Sequence, residues 1–253
     1  MSQKSIILVA VVVVVLGAGY FYFSSNTNTN LASQGQAIIG ISDASAAIPG
    51  VTSIMITVDT VEVQSGANGW ITVSSGTKQY DLLQLKQTGA VALLADANLP
   101  AGTYDQIRLT ISKVLVTASG TTQEAKLPSG TLKIVGRLVI EAGKTATAVL
   151  DFNADKSLIA TGNGTFILAP VVNLQTKSNV TVEKQSDNTL KISSGTVEDN
   201  VNVGMDQNGD TQDNFELGSS SKVEVDSEGR IHVSTTTKNE GGDQKKGNTQ
   251  GGN

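Results

Sequence analysis

Few residues in this chain have the type and spacing that chemistry needs. His232 is the sole histidine, and there is no cysteine. A thiolate metal site, a cysteine nucleophile and a histidine-rich zinc cluster are therefore excluded. His232 falls in a short C-terminal strand pattern and reads as an ordinary exposed strand residue rather than a catalytic base. Asp151 and Asp155 are the remaining paired carboxylates for acid/base work, and turn chemistry at the end of a strand is the better reading of them. No catalytic residue is assigned. Asp206, Asn208 and Asp210 place oxygen ligands at alternating positions like the opening of a calcium loop, with Asp213 and Glu216 following as further candidates. That pattern departs from a calcium loop in two ways: its glycine comes fourth, and Leu217 stands where a bidentate acid belongs. A solvated acidic loop is therefore the default reading and calcium the alternative, and no other cofactor is expected. Trp70 follows a turn and is the best-placed ring for a ligand platform. Asn163-Gly164-Thr165 and Asn179-Val180-Thr181 are N-glycosylation triplets, so Asn163 and Asn179 are candidate acceptors.

The elements that position these residues are strands. Apolar residues make up 39% and charged residues 16% of the chain, with abundant Thr, Ser, Val, Gly and Asn, a balance that favours strands and turns. Ile54, Ile56 and Val58 alternate with polar neighbours, and Val61 and Val63 continue in the opposite phase, which predicts a bulge near Asp59-Thr60. Gly66 to Gly69 marks a turn before a strand at 70–73, and Gly76 separates that strand from one at 80–85. In the next run Ile107, Leu109 and Ile111 face inward. Further strands are predicted at 113–118, 122–127, 131–135, 137–141, 146–152 and 165–174, and the one helical turn at 89–95. About ten short strands divided by Gly, Ser and Pro turns predict an all-β sandwich.

Charge is uneven. Residues 35–175 carry a net −1 and residues 176–253 a net −5. A nearly neutral body with an acidic tail has no basic face for phosphates, so nucleic acid is not expected as a partner. The domain reading is an anchor at 1–23, a polar linker at 24–34, a β-sandwich at 35–175, an acidic β-hairpin extension at 176–237 and a disordered tail at 238–253.

Residues 6–23 are eighteen in a row without a charge, ending Tyr20-Phe21-Tyr22-Phe23. As a helix this run reaches ~27 Å, close to the hydrocarbon thickness. Lys4 lies on one side and the next basic residue is Lys78, so the positive-inside tendency places the N-terminus in the cytoplasm and the rest outside. The expectation is a single-pass cell-membrane protein whose C-terminal domain is extracytoplasmic. A cleaved signal peptide is the rival reading, and a pilin-like helix packed in a filament is a third.

Several segments together resemble one family. They are Gly40-Ile41-Ser42-Asp43-Ala44, Gly69-Trp70, Tyr80-Asp81-Leu82-Leu83-Gln84-Leu85 and the run Leu99-Pro100-Ala101-Gly102-Thr103-Tyr104-Asp105-Gln106-Ile107-Arg108-Leu109. Pro128-Ser129-Gly130, Leu150-Asp151-Phe152-Asn153-Ala154-Asp155-Lys156-Ser157 and Leu168-Ala169-Pro170-Val171-Val172 complete the set. In this order and spacing they resemble domain of unknown function 4382, a prokaryotic extracytoplasmic family, over about residues 35–175. The resemblance implies a carbohydrate-binding-like or prealbumin-like β-sandwich and brings no activity with it. Members are often lipoproteins, whereas this chain lacks the cysteine for lipidation. Within the motifs, Pro100-Ala101-Gly102 reads as a tight turn, while Asp81, Asp151 and Arg108 read as turn caps or an ion pair.

These readings converge on a non-enzymatic, membrane-anchored surface module for adhesion, envelope scaffolding or ligand binding. A cell-surface glycan or an envelope protein is the expected partner. A filament subunit is the alternative, and an unrecognised enzyme ranks last.

Overall fold

The computed structural model describes residues 33–45, 47–162, 164–205, 211–213, 222–225 and 231–234. The hydrophobic segment at 6–23 lies outside these residues. No helix among the described residues is long and apolar enough to cross a membrane.

The described chain is predominantly β. Its first strands are β1 (Gln34–Asp43), β2 (Val51–Ser65) and β3 (Gly69–Asp81), followed by helix α1 (Leu82–Thr88). Next come β4 (Val91–Pro100), β5 (Gly102–Ala118), β6 (Thr121–Glu124), β7 (Thr131–Ile140) and β8 (Thr145–Phe152). A short helix α2 (Ala154–Ser157) leads into β9 (Leu158–Ala160) and β10 (Phe166–Leu168), which pair with each other. The series then runs through β11 (Val171–Ser178), β12 (Thr181–Lys184), β13 (Thr189–Ser193), β14 (Thr196–Met205) and β15 (Thr211–Asp213). Last come β16 (Lys222–Val225) and β17 (Ile231–Ser234), which pair antiparallel as expected for that segment.

Two sheets enclose one core. The larger has the order β12-β13-β4-β1-β8-β11-β14-β15, with β1 and β8 parallel at its centre. The smaller has the order β3-β2-β5-β6, with β7 also on β5. Alternation sends Ile54, Ile56, Val61 and Val63 of β2 and Ile107, Leu109 and Ile111 of β5 inward, where they meet Ile39, Ile41, Leu150 and Leu174 of the other sheet in one buried cluster. The phase change in β2 is a real bulge: its register with both neighbours shifts between Val58 and Thr60.

The structure corrects three local expectations. The helical turn expected at 89–95 is strand from Val91, and the strand expected at 80–85 gives way to helix α1. The cause is local: the Asp81 carboxylate accepts from the Leu83 and Gln84 amides, and Gly89 ends the helix in the left-handed region at φ 64°. Leu82, Leu83 and Leu85 then bury one face of the turn. The strand expected at 165–174 is two strands, broken at Ala169-Pro170 because proline cannot donate to a ladder.

The segment beyond residue 175, read from sequence as an acidic extension, supplies part of the larger sheet. β11 runs to Ser178 and pairs with β8 on one side and β14 on the other. From Val180, whose amide donates to Thr145 O at 2.9 Å, the β12–β13 hairpin crosses the outer face of the sheet and pairs with the start of β4 through Leu190 and Val91. The hairpin seats closely because Gly40 lies beneath it: a Cβ there would stand 2.5 Å from Val91 Cγ1 and 3.2 Å from Leu190 Cδ1.

Candidate functional site

The two outer faces are built from different chemistry. On the smaller sheet, Trp70 of β3 lies opposite Gln64, and Glu62 of β2 lies opposite Arg108 of β5. Arg108 Nε and Nη2 donate to Glu62 Oε2 at 2.8 and 2.7 Å, and the same guanidinium lies 4.0 Å from the centroid of the Trp70 ring. A cation held over an indole is attracted by the ring's negative face. Trp70 is 38% exposed, but the ring face under Arg108 is taken. Arg108 thus pairs with Glu62, while Asp81 caps α1 and also accepts from the Ser53 hydroxyl at 2.7 Å. The Pro100-Ala101-Gly102 turn is tied by Tyr104, whose hydroxyl donates to Pro100 O at 3.0 Å.

The outer face of the larger sheet carries a groove of about 260 Å³. Register builds its floor in three rows. Ser42 of β1 is opposite Asp151 of β8, which is opposite Asn173 of β11. Two residues down β8, Val149 stands between Gly40 and Gln175; two further down, Thr147 stands between Ile38 and Lys177. Strand geometry puts Thr147 and Asp151 ~13 Å apart. Val91 of β4 and Ile192 of the crossing hairpin form the wall. A second hollow of about 420 Å³ shares Ser42, Val91 and Asp151 with this groove.

Several of these polar groups are not consumed by the fold. Thr147 is 1% exposed, and its hydroxyl has no hydrogen-bond partner among the described residues. Buried polar groups are nearly always paired, so this one needs a reason. Neither the Gln175 amide nor the Lys177 ammonium has a side-chain partner among the described residues. By contrast, the Asn173 amide donates to Asn200 and Asn202 at 2.8 and 3.0 Å. Ser42 donates to Asp151 Oδ1 at 2.9 Å. Burial pushes the Asp151 carboxyl above its ordinary value against the pull of the Ser42 and Ala44 hydrogen bonds. Asp43, one residue on in β1, is also raised, first by burial and last by the charge of Asp151. Its carboxylate accepts from the Ser45 amide and hydroxyl and from the Ala154 amide.

A larger hollow of about 650 Å³ lies between the end of β3, α1 and the β12–β13 turn. Tyr80 lines it, with its hydroxyl donating to Leu93 O at 2.9 Å and pushed up to about 12 by burial.

Among the sequence candidates, only Asp151 falls in the groove. Trp70 is on the opposite outer face. Asn179 is exposed, with φ 52°, at the turn leading to the hairpin, and its amide donates to Glu141 Oε1 at 2.9 Å. Asn163 lies outside the described residues, as do Asp206, Asn208 and Asp210; Asp213 ends β15. No group of three or more potential metal ligands occurs among the described residues. His232 pairs through its backbone with Glu224. Thr147, Gln175 and Lys177 went unrecognised because they meet only through strand register. The available signal was polar residues at alternate positions in strands that are otherwise apolar.

The chain matches the family model described as Domain of unknown function (DUF4382) over residues 34–170. No curated protein and no solved structure matches it. The matched segment covers β1 to β10, so β11 and the hairpin, which complete the groove, lie past its end. With more than half its length under that model and the quoted motifs in order along it, the chain belongs to the DUF4382 family.

Proposed function

We propose that this protein is a non-enzymatic ligand-binding module held outside the cytoplasm by its N-terminal hydrophobic segment, and that the groove over β8 and β11 receives the ligand. The observation that carries this reading is the groove itself, where a buried hydroxyl and two side chains without side-chain partners among the described residues line one concave surface. A rigid sheet supports them, so little ordering is left for the ligand to drive. Two sheets over one core also suit the carbohydrate-binding-like or prealbumin-like fold that the family resemblance implies. The uncharged run at 6–23 and the lone Lys4 before it support the membrane anchor and its orientation.

A thermal-denaturation screen of the full-length chain against sugars, amino acids and short peptides tests the ligand site. Binding to the folded state alone raises the melting temperature. The expected result is a rise with at least one compound and its disappearance in Gln175→Trp, which fills the groove from a half-exposed strand position. A rise that survives Gln175→Trp puts the ligand elsewhere. Protease added to intact cells tests the topology: digestion of the β domain is expected, and protection would sink the extracytoplasmic placement.

A further inference from the structure

The groove's contents point beyond ligand binding in general. We infer that the groove over β8 and β11 is a saccharide site that grips a short neutral sugar chain through its hydroxyl groups; this rests on the groove being a ligand site at all. The first argument is the Thr147 hydroxyl, buried and unpartnered among the described residues on the groove floor. It can both donate and accept, and a sugar hydroxyl is the matching group because it does the same. The second argument is spacing. Ser42 and Asn173 flank Asp151 in one row and Gln175 follows Asn173 two residues along the same strand, adding a hydroxyl and two amides to the floor. The Gln175 amide offers a carbonyl acceptor and an NH₂ donor from one group, as vicinal hydroxyls require. Asn173, whose NH₂ is given to Asn200 and Asn202, and Ser42, whose hydroxyl is given to Asp151, add acceptor oxygens.

The third argument is the middle of the groove. Val149 occupies the centre of the floor, flanked by Val91 and Ile192 on the wall. This apolar surface between polar groups suits a pyranose, whose C–H face is apolar and whose rim is hydroxylated. An extended peptide fits less well. It would lay backbone N–H and C=O groups over Val149, and the central strands of the sheet have already spent their own backbone groups on each other. The two charges also argue against a dipolar peptide. Lys177 and Asp151 stand at opposite ends, but burial disfavours the charged form of Asp151 and weakens its hold on an ammonium.

Thr147 gives this inference a signature that a merely structural residue lacks. Valine has nearly the same shape and the same β preference, so Thr147→Val removes only the orphaned hydroxyl. Stability should rise while sugar binding falls.

The experiment uses the full-length chain in a sugar-free detergent, with maltotriose, cellotriose, triacetylchitotriose and trialanine as probes, read by saturation-transfer NMR. At least one trisaccharide is expected to receive saturation from the protein. That binding should weaken at least tenfold in both Thr147→Val and Gln175→Ala, with circular dichroism unchanged and the melting temperature of Thr147→Val raised. No transfer to any trisaccharide overturns the saccharide assignment, as does trisaccharide binding that neither variant weakens. Trialanine bound in place of sugar, and lost in Gln175→Ala, would overturn the saccharide class while leaving the groove as a ligand site. If no probe binds, both readings fall.

Discussion

The outer faces of the two sheets make opposite use of their polar side chains. On the smaller sheet, Glu62 holds Arg108, Arg108 covers Trp70, and the Thr60 hydroxyl donates to Thr110 at 2.9 Å. On the larger sheet, Thr147, Gln175 and Lys177 line a concavity without side-chain partners among the described residues, beneath a hairpin that closes one side. A flat face with its polar groups satisfied is finished as protein surface. A hollow face that keeps a buried hydroxyl such as that of Thr147 unpartnered costs stability, and that cost is the usual mark of a site made for something else.

The largest expected effect comes from removing the hairpin that makes one face hollow. Gly40→Val should lower stability by about 1–3 kcal/mol, because the new side chain collides with Val91 and pushes against Leu190. Limited proteolysis should then cut within the β12–β13 hairpin before the rest of the domain. A variant with wild-type stability and an uncut hairpin would mean that the close approach over Gly40 does not hold the hairpin down.

Thr147→Val tests the unsatisfied group directly and has the opposite sign. Leaving a buried hydroxyl unpaired costs about 1–3 kcal/mol, so the isosteric valine should stabilise by up to that amount in denaturant titration. A loss of stability would show that the hydroxyl has a partner and that the contrast between the two faces is false.

Arg108→Ala probes the satisfied face and should cost about 1 kcal/mol, the combined scale of a half-exposed ion pair and a cation–π contact. Trp70 is the only tryptophan, so its fluorescence should shift to the red as the ring gains water. An unchanged spectrum would argue that Arg108 does not cover the ring in solution.

The smallest effect is in the pH profile. A carboxyl whose folded value is raised holds more protons in the folded than in the unfolded state. Its contribution to stability is therefore present at low pH and lost as pH climbs from the unfolded value of 3.8 through the folded one. Asp151→Asn should flatten that part of the stability curve, measured by urea denaturation between neutrality and acid. An identical slope in wild type and variant would mean that Asp151 is not desolvated in the groove.

Much of this was legible from sequence alone. Alternation along 54–63 and 105–111 gave the inward faces of β2 and β5, and the phase change gave the bulge, because a strand's side-chain period is two whatever its neighbours are. Ordered motifs such as the Pro100-Ala101-Gly102 turn with its Tyr104 tie identified the family, since each encodes a local conformation. Composition set the all-β class. Helix α1 was also written locally, in Asp81 as cap and Gly89 as stop, and was hidden because a run of leucines fits a buried strand as well as a buried helix turn.

Tertiary structure alone decided the rest. That Thr147 faces Lys177, Val149 faces Gln175 and Asp151 faces Asn173 depends on which strands pair and in what register, and β8 and β11 are separated by two short strands and a helix. A one-residue slip would turn every one of these side chains to the other face. The sequence also could not show that residues 181–193 fold back over Gly40. That placement comes from pairing at the edge of β4 and from a missing Cβ, and both are properties of the assembled sheet rather than of the segment.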